Sequence, residues 1–208
     1  VGGRPLSVNW IAQNVQALVQ AWEPGSLGGR ALANILAGKV NPSAKLPISI
    51  PRHSGQIQMI YNHKPSQYFH KYIDGPSTPL YPFGFGLSYT RFAYSSLKLS
   101  HTRISDKDSF TASIELTNVG DREGTEVVQL YIRDIYSSAT RPVKELKDFA
   151  RVTLKPGEKK TVTFTVTPDK LAYWNRNMQY GVEKGEFEIM IGSSSQDKDL
   201  KKVKMEVL

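Results

Sequence analysis

Hydrophobic and polar residues alternate along most of the chain after residue 90. Apolar residues separated by single polar residues are typical of strands that bury one face. We therefore predict inward-facing side chains at these positions: Phe110, Ala112, Ile114, Leu116; Val128, Leu130, Ile132; Val162, Phe164, Val166; Phe187, Ile189, Ile191; and Val203, Met205, Val207. The turn-forming sequences NVGDREG, LKPGEKK and VEKGE separate these runs. Residues 91–208 are therefore predicted to be all-β.

The spacing of these strands predicts their arrangement. About seven short strands within a segment of this length indicate an antiparallel β-sandwich of the immunoglobulin or fibronectin type III kind. The chain has no cysteine. The cysteine and tryptophan pattern of antibody domains is thus absent, which favours the fibronectin type III-like variant.

The pattern before residue 90 is different. Residues 17–22 form a short apolar run that predicts a buried strand, and residues 45–51 predict another. Between them, apolar residues recur at helical spacing over residues 27–36, with Ser26 as the predicted N-cap and Gly38 as a left-handed terminator. Strand, helix and strand in this order predict an α/β fold for residues 1–90.

One strand-helix-strand unit does not make a stable domain. Parallel strands are buried on both faces, so an isolated unit would expose apolar surface that a folded domain hides. We therefore expect residues 1–90 to be the C-terminal part of a larger α/β domain, together with a linker, whose earlier strands precede Val1.

The segment between the two patterns is irregular. Residues 52–80 show no sustained period and hold three of the four histidines, and long irregular segments are usually functional or mark a boundary. The following sequence TPLYPFGFGLSYTRF combines prolines, glycines and aromatic rings, which suits a rigid crossover. We expect Tyr81, Phe83 and Phe85 to be mostly buried between the domains.

Charge and composition exclude two broad classes of function. The net charge is +8. Residues 1–90 carry seven Lys/Arg against two acidic residues, and residues 91–208 carry twenty against seventeen. Because no basic stripe emerges from this distribution, we predict no nucleic-acid binding. No apolar run approaches the length of about 18 residues that a membrane span needs.

Six sequence motifs, in their order along the chain, carry a resemblance to a known family. They are GGRP, AWEPGSLGGRALANILAGKVNPSAKLPISIPRHSGQIQ, PLYPFGFGLSYTRF, LTNVGDREGTEVVQLYI, RPVKELKDFARVTLKPGE and GEFEIMIGSSS. Together they resemble the C-terminal part of glycoside hydrolase family 3 enzymes of the β-glucosidase type. The family has a (β/α)8-type barrel, then an α/β sandwich domain, then a fibronectin type III-like domain. The resemblance implies that this chain holds the end of the second domain, joined to all of the third.

The resemblance also implies a reaction and the place of its catalytic groups. The family members are retaining, exo-acting β-glycosidases, which use an Asp nucleophile and a Glu acid/base; both are expected upstream of Val1. Among residues 1–90 the only acids are Glu23 and Asp74. Glu23 precedes a Pro-Gly turn, where we favour a cap or partner of the next helix over a catalytic role. Asp74 precedes a glycine, which favours a turn residue.

The loop before PLYPFG is the part of this chain that the family directs toward the active-site entrance. Tyr68, Phe69, His70 and Tyr72 are therefore candidates for the aglycone side of the site, because aromatic rings stack on sugar faces. The alternative is that these rings only pack the loop onto its neighbours. The expected ligand is a β-linked oligosaccharide or an aryl or alkyl β-glucoside, and the expected partners are the N-terminal barrel and the rest of the α/β domain.

Other kinds of site are not supported. His53, His63 and His70 lack ligand-like spacing, so we predict no metal and no cofactor. The chain has neither a P-loop nor a G-x-S-x-G elbow. A non-catalytic carbohydrate-binding or interaction module is the alternative function, but Tyr131 and Tyr136 alone do not make an aromatic platform. By its resemblance the protein is expected in the periplasm or outside the cell.

Overall fold

The computed structural model describes residues 1–56, 59–65, 72–73 and 75–208. In chain order its helices and strands are α1 (Asn9–Asn14), α2 (Gly28–Leu36), β1 (Phe92–Tyr94), β2 (Lys98–Leu99), β3 (Arg103–Ile104), β4 (Phe110–Asn118), β5 (Gly124–Asp134), β6 (Glu145–Leu154), β7 (Lys159–Val166), α3 (Pro168–Leu171), β8 (Tyr173–Trp174), β9 (Tyr180–Gly181), β10 (Gly185–Gly192) and β11 (Leu200–Val207). A short 3-10 turn, Asp197–Asp199, precedes β11. No described helix combines the length and the apolar character needed to cross a bilayer.

Two sheets form a β-sandwich. In the first sheet, β4 pairs with β7 on one side and with the short strands β1 and β2 on the other, and every pairing is antiparallel. The second sheet has the order β3-β11-β10-β5-β6, with a single parallel pairing between β3 and β11. Strands β8 and β9 form a separate two-stranded hairpin.

The core lies between these sheets and confirms the predicted alternation. All the predicted inward positions are buried except Val203, which is partly buried against the same core. Ile114 of β4 pairs with Val162 of β7, and Ile189 of β10 pairs with Ile132 of β5. The period of two thus identified the buried face of each long strand, because successive side chains of a strand point to opposite sides.

Helix α2 lies close to its predicted position, with one correction at its N-terminus. The N-cap is Leu27 rather than Ser26, and no side chain caps the helix. The predicted end is confirmed: Gly38 has φ +69°. The N–H groups of Gly38 and Lys39 donate to the carbonyls of Ile35 and Asn34, which is the Schellman arrangement. Helix α1 is short and exposed, and no sequence signal indicated it.

The two strands predicted before residue 90 do not form as strands. Residues 17–22 have no strand conformation, and both Leu18 and Val19 are exposed. A strand requires neighbours that satisfy its backbone groups. The Gly2 N–H donates to the Trp22 carbonyl at 3.2 Å, but no described strand pairs with this run. In residues 45–51 only Ile50 forms a bridge, which is antiparallel and has Tyr81 as its partner.

The crossover segment covers the outer face of the five-stranded sheet. Phe83 and Tyr61 pack there against a second buried cluster, which consists of Tyr131, Met190 and Leu200. This explains why β5 is buried on both faces around residues 128–132. Tyr81, Phe83 and Phe85 were expected to be mostly buried, and in the described structure most of the surface of each residue is buried, although none is fully enclosed.

Polar contacts fix the crossover to the sandwich. The Ser195 N–H and hydroxyl both donate to the Phe83 carbonyl, at 3.0 and 2.9 Å. The Gln129 amide donates to the Gly84 carbonyl at 3.1 Å. Lys45 and Glu126 form an ion pair with an N–O distance of 2.9 Å, and their side chains are only 12% and 6% exposed. These hydrogen bonds and this ion pair indicate that the two halves are held in one arrangement.

Candidate functional site

The irregular segment that was predicted to approach a sugar site is held together at its base by Gln56. This side chain is buried. Its Oε1 accepts the Arg52 N–H at 2.7 Å, and its Nε2 donates to the Pro76 carbonyl at 3.1 Å. The Arg52 Nε also donates to the Thr78 carbonyl at 2.9 Å. These bonds bring residues 52–56 and residues 76–78 together at the base of the segment.

Of the four aromatic candidates on this loop, Tyr72 lies among the described residues. Its ring meets the His53 ring edge to face, with centroids 5.1 Å apart, and its hydroxyl donates to the Gly55 carbonyl at 3.5 Å. It is 36% exposed, so part of the ring can still contact a ligand. Tyr68, Phe69 and His70 lie outside the described residues, as does Asp74.

The loop is anchored to the sandwich further along. The Tyr61 ring stacks on Phe83 with centroids 4.2 Å apart and meets Tyr131 edge to face at 5.9 Å. The Tyr61 hydroxyl accepts the Leu146 N–H at 3.1 Å, and burial raises the pKa of Tyr61 above its ordinary value despite this bond. The His63 carbonyl accepts the Val143 N–H at 2.9 Å. Tyr61 therefore has a packing role, which the sequence did not single out.

The other residues considered from the sequence lie apart from one another. Glu23 is exposed, and its carboxylate lies against Gly3 rather than on the first turn of α2, so the predicted helix-capping role is wrong. Tyr131 is fully buried and donates to Gln129, whereas the Tyr136 ring is 79% exposed. These two tyrosines therefore do not form a shared platform. Within the described part of the chain, no three His, Asp or Glu side chains are arranged to hold a metal ion.

A cluster of charged side chains at the C-terminal end of β5 was not predicted. Arg141 donates from Nη2 to Glu145 at 2.5 Å, and its Nη1 lies 3.8 Å from Oδ2 of Asp134. The guanidinium group also lies over the Tyr173 ring, 4.4 Å from its centroid. The Tyr173 hydroxyl donates to Glu183. These residues come from four separate parts of the chain, so no local motif could have revealed the cluster.

The three carboxylates of this cluster differ in their environment. Burial raises the pKa of Asp134 to about 6, although Arg141 opposes the shift. Burial also disfavours the ionised form of Glu145, but hydrogen bonds from Arg141 and the nearby Lys147 outweigh it and lower the pKa of Glu145. Hydrogen bonds from Ser138 and Tyr173 lower the pKa of Glu183. Arg141 lies among these acids, so the arrangement is an ion network rather than an open pair of catalytic carboxylates.

Comparison with protein families assigns both halves of the chain. Residues 1–89 match the model of the glycosyl hydrolase family 3 C-terminal domain. Residues 126–195 match the model of the fibronectin type III-like domain. The two matches occur in the order that the sequence motifs indicated.

Individual proteins show the same similarity over nearly the whole chain. A periplasmic β-glucosidase of Salmonella typhimurium is 45% identical over 205 residues, which cover 94% of this chain and 27% of that protein. A β-xylosidase of Formosa agariphila is 45% identical over 210 residues, covering 100% of this chain and 29% of its own length. The chain thus spans less than a third of the length of these relatives.

Solved structures of similar proteins have the same fold as this chain. A β-glucosidase from Erythrobacter marinus superposes with a TM-score of 0.96 at 43% identity, covering 100% of this chain and 27% of that one. A β-glucosidase from Listeria innocua, solved in complex with glucose, superposes with a TM-score of 0.91 at 37% identity, covering 98% of this chain and 29% of that one.

Proposed function

Since the chain carries the C-terminal domain of glycosyl hydrolase family 3 followed by a fibronectin type III-like domain, we propose that it is the C-terminal portion of a retaining, exo-acting β-glycosidase. The proposed activity is that of a β-glucosidase, which removes terminal non-reducing β-D-glucosyl residues. The observation that supports this most directly is the 45% identity to a β-glucosidase over 94% of the chain. The division into residues 1–90 and 91–208 stays a prediction.

The chemistry requires two carboxyl groups about 5 Å apart. One attacks the anomeric carbon to form a glycosyl-enzyme intermediate, and the other protonates the leaving oxygen and then activates the water that releases the sugar. We propose that the Asp nucleophile and the Glu acid/base both precede Val1. Support comes from the described part of residues 1–90, where the acid is Glu23 and its side chain is exposed.

The proposed contribution of this chain is to complete the fold and to wall the aglycone side of the site. Tyr68, Phe69, His70 and Tyr72 would provide that wall. The hydrogen bonds of Gln56 to Arg52 and Pro76 support this role, because they fix the base of the loop that carries these residues. The Tyr72 ring, which meets the His53 ring edge to face, would lose little conformational freedom when a sugar binds.

The cellular location and the ligands proposed for the protein follow from the same comparison. The relative from Salmonella typhimurium is named as periplasmic, which supports a periplasmic or extracellular location here. The proposed ligands are β-linked oligosaccharides and aryl or alkyl β-glucosides.

The test uses the protein together with its upstream region and para-nitrophenyl β-D-glucoside as substrate. We expect NMR to detect β-glucose as the first product, since two inversions at the anomeric carbon give retention. Release of α-glucose first would contradict the proposed mechanism. Hydrolysis by residues 1–208 alone, above the rate of the buffer, would contradict the placement of the catalytic groups.

The role of Tyr72 is tested in the same protein by Tyr72→Ala. We expect KM for the aryl glucoside to rise about fivefold, since stacking on a sugar or aryl face contributes roughly 1 kcal/mol. Tyr180→Ala is the matched control, because Tyr180 is 53% exposed on the β8-β9 hairpin of the sandwich. Equal KM values for the two variants would remove Tyr72 from the proposed wall.

A further inference from the structure

The irregular segment has a second anchor, on the sandwich, in addition to the hydrogen bonds at its base. The Val143 N–H donates to the His63 carbonyl at 2.9 Å. The Leu146 N–H donates to the Tyr61 hydroxyl at 3.1 Å. Val143 belongs to the connection between β5 and β6, and Leu146 is the second residue of β6. One stretch of the sandwich therefore holds this part of the segment.

Pro65 extends the same contact. It lines a cavity of about 170 Å³ whose other lining residues all lie between positions 133 and 142, so the cavity is a gap between the segment and the sandwich. Tyr72 lies further along the same segment, between Pro65 and Pro76, and the Pro76 carbonyl accepts a bond at the base. A chain held at two points samples fewer conformations than a chain held at one, which lowers the entropy lost when a ligand binds.

The connection between β5 and β6, residues 135–144, contains no helix or strand and is held by side chains. Arg141 donates from Nη2 to Glu145 at 2.5 Å, and its Nη1 lies 3.8 Å from Oδ2 of Asp134. Asp134 ends β5 and Glu145 begins β6, so Arg141 joins the two ends of the connection. The guanidinium group also lies over the Tyr173 ring, and the Arg141 side chain is only 10% exposed.

The position of Arg141 is passed on to Val143. Only Pro142 separates the two residues, and a proline ring fixes its own φ near −65°, so the chain direction between them varies little. On the other side of Val143, the Lys144 ammonium group donates to the Ser195 carbonyl at 2.9 Å. The Val143 N–H is thus held in place from both sides while it donates to the irregular segment.

We propose that the sandwich positions the aglycone side of the site, with Arg141 as a positioning residue that acts through Val143 and His63. This inference rests on the proposed function, because it requires that Tyr72 contacts the aglycone. In this role Arg141 does not touch the substrate. Its loss should weaken binding of the aglycone and leave the bond-breaking steps at glucose unchanged.

The kinetic test uses the protein with its upstream region and two substrates. para-Nitrophenyl β-D-glucoside carries an aryl aglycone, whereas a single fluorine atom takes its place in β-D-glucosyl fluoride. For Arg141→Gln we expect KM for the aryl glucoside to rise about fivefold with kcat unchanged, which is the pattern for lost binding. KM for glucosyl fluoride should stay the same. Arg141→Lys keeps the charge but not the planar fork, so its KM should be intermediate.

Arg103→Gln is the matched control. Arg103 also forms an ion pair within the sandwich, with Glu206 at 2.9 Å, but it lies on β3 and its side chain is 70% exposed. Both kinetic constants of this variant should equal those of the parent protein. An equal rise of KM in Arg103→Gln and Arg141→Gln would overturn the proposal, because the effect would then not depend on the β5–β6 connection.

Hydrogen exchange in the 208-residue chain tests the anchor without any measurement of hydrolysis. In Arg141→Gln the Val143 amide should exchange at least tenfold faster than in the parent chain, because its hydrogen bond opens more often. Arg103→Gln should leave this rate unchanged. An unchanged Val143 rate in Arg141→Gln would overturn this inference alone, whereas a parent protein that hydrolyses neither substrate would overturn the proposed function.

Tyr61→Phe tests the anchor from the other side and leaves the ion network intact. It keeps the ring that stacks on Phe83 and removes only the acceptor of the Leu146 N–H. We expect faster exchange of the Leu146 amide and a KM for the aryl glucoside that rises about threefold. This variant is decisive if Arg141→Gln does not fold, since that change leaves the buried Asp134 carboxylate without its partner.

Two further kinetic results would overturn the proposal. One is an unchanged KM for the aryl glucoside in Tyr61→Phe and in every folded variant of Arg141. The other is an equal rise of KM for the aryl glucoside and for glucosyl fluoride, since an effect that does not depend on the aglycone would place the change at the glucose-binding part of the site.

Discussion

Gln129 is one of the polar residues that join the two halves of the chain. It lies on β5 and is buried. Its Nε2 donates to the carbonyls of Gly84 and Ser193, and its Oε1 accepts the Tyr131 hydroxyl. The alternation of β5 predicts that Gln129 faces solvent, since its neighbours Val128 and Leu130 face the core. Instead it faces the crossover, which a pattern within one strand cannot reveal.

Gly84 is the partner of Gln129, and its replacement tests the fit between them. Gly84 has φ +78°, and a Cβ atom there would lie too close to the Gln129 amide group. We expect Gly84→Ala to lower the free energy of unfolding by roughly 3 kcal/mol, combining backbone strain of about 1–2 kcal/mol with overpacking. Urea denaturation of the whole chain would measure this change.

Gly157→Ala is the matched control for this prediction. Gly157 has nearly the same backbone conformation, with φ +75°, but a Cβ atom there would meet nothing within 4 Å. Gly157→Ala should therefore lower the free energy of unfolding only by the backbone strain, about 1–2 kcal/mol. Equal losses in the two variants would show that the Gln129 contact tolerates the extra methyl group.

At the scale of whole elements, the sequence predicts the sandwich far better than the segment before it. Each long strand of the sandwich carries its own alternation, for example Phe110 to Leu116 in β4, so the buried face can be read locally. Residues 17–22 also carry an apolar run, yet Leu18 and Val19 remain exposed because strand formation depends on partners elsewhere in the chain. The cluster of Arg141 was missed for a similar reason, since its members meet only in the folded sandwich.

The crossover illustrates the same limit, because three similar rings have different surroundings. Phe83 packs on the buried cluster of Tyr131, Met190 and Leu200, whereas Phe85 stacks on Tyr81, with ring centroids 5.3 Å apart. The sequence places Phe83 and Phe85 two residues apart and gives no reason to rank them. In the structure, their different neighbours indicate that Phe83 contributes more to the docking of the crossover than Phe85 does.

We expect the docking of the crossover to depend on Phe83 more than on Phe85. Phe83→Ala should lower the free energy of unfolding by about 3 kcal/mol, near the lower end for a large-to-small change at a packed ring. Phe85→Ala should cost about 1 kcal/mol, since its ring lies outside the buried clusters. Thermal denaturation of both variants measures the difference, and a larger loss for Phe85→Ala would contradict the assignment of Phe83 as the anchor.

At the scale of the whole molecule, the apolar core belongs almost entirely to the sandwich. Every buried residue of the main core lies between Leu97 and Val207. Among the described residues before position 90, the only buried hydrophobic side chain is Ile50. Large apolar side chains are exposed in the same region, including Trp10 at 70% and Leu36 at 71%. Exposed apolar surface of this kind usually marks an interface, which supports the proposal that further chain packs against this half.

This asymmetry predicts how the two halves behave when they are separated. A chain of residues 91–208 should fold and unfold cooperatively, because it retains the main core between two sheets. It should be less stable than the whole chain, since removal of Tyr61 and Phe83 exposes the outer cluster of Tyr131, Met190 and Leu200. A chain of residues 1–90 should show no cooperative transition, because hydrophobic burial is the main term that offsets the entropy of ordering a chain.

Differential scanning calorimetry of the separate chains measures both outcomes. A chain of residues 80–208 is the control for the loss of stability, because it restores Phe83 and the carbonyl of Gly84 that bonds Gln129. Its thermal midpoint should lie between those of residues 91–208 and the whole chain. A midpoint equal to that of residues 91–208 would show that the crossover does not stabilise the sandwich. A cooperative transition in residues 1–90 would show that this half has a core of its own, and its exposed apolar side chains would then no longer argue for a missing neighbour.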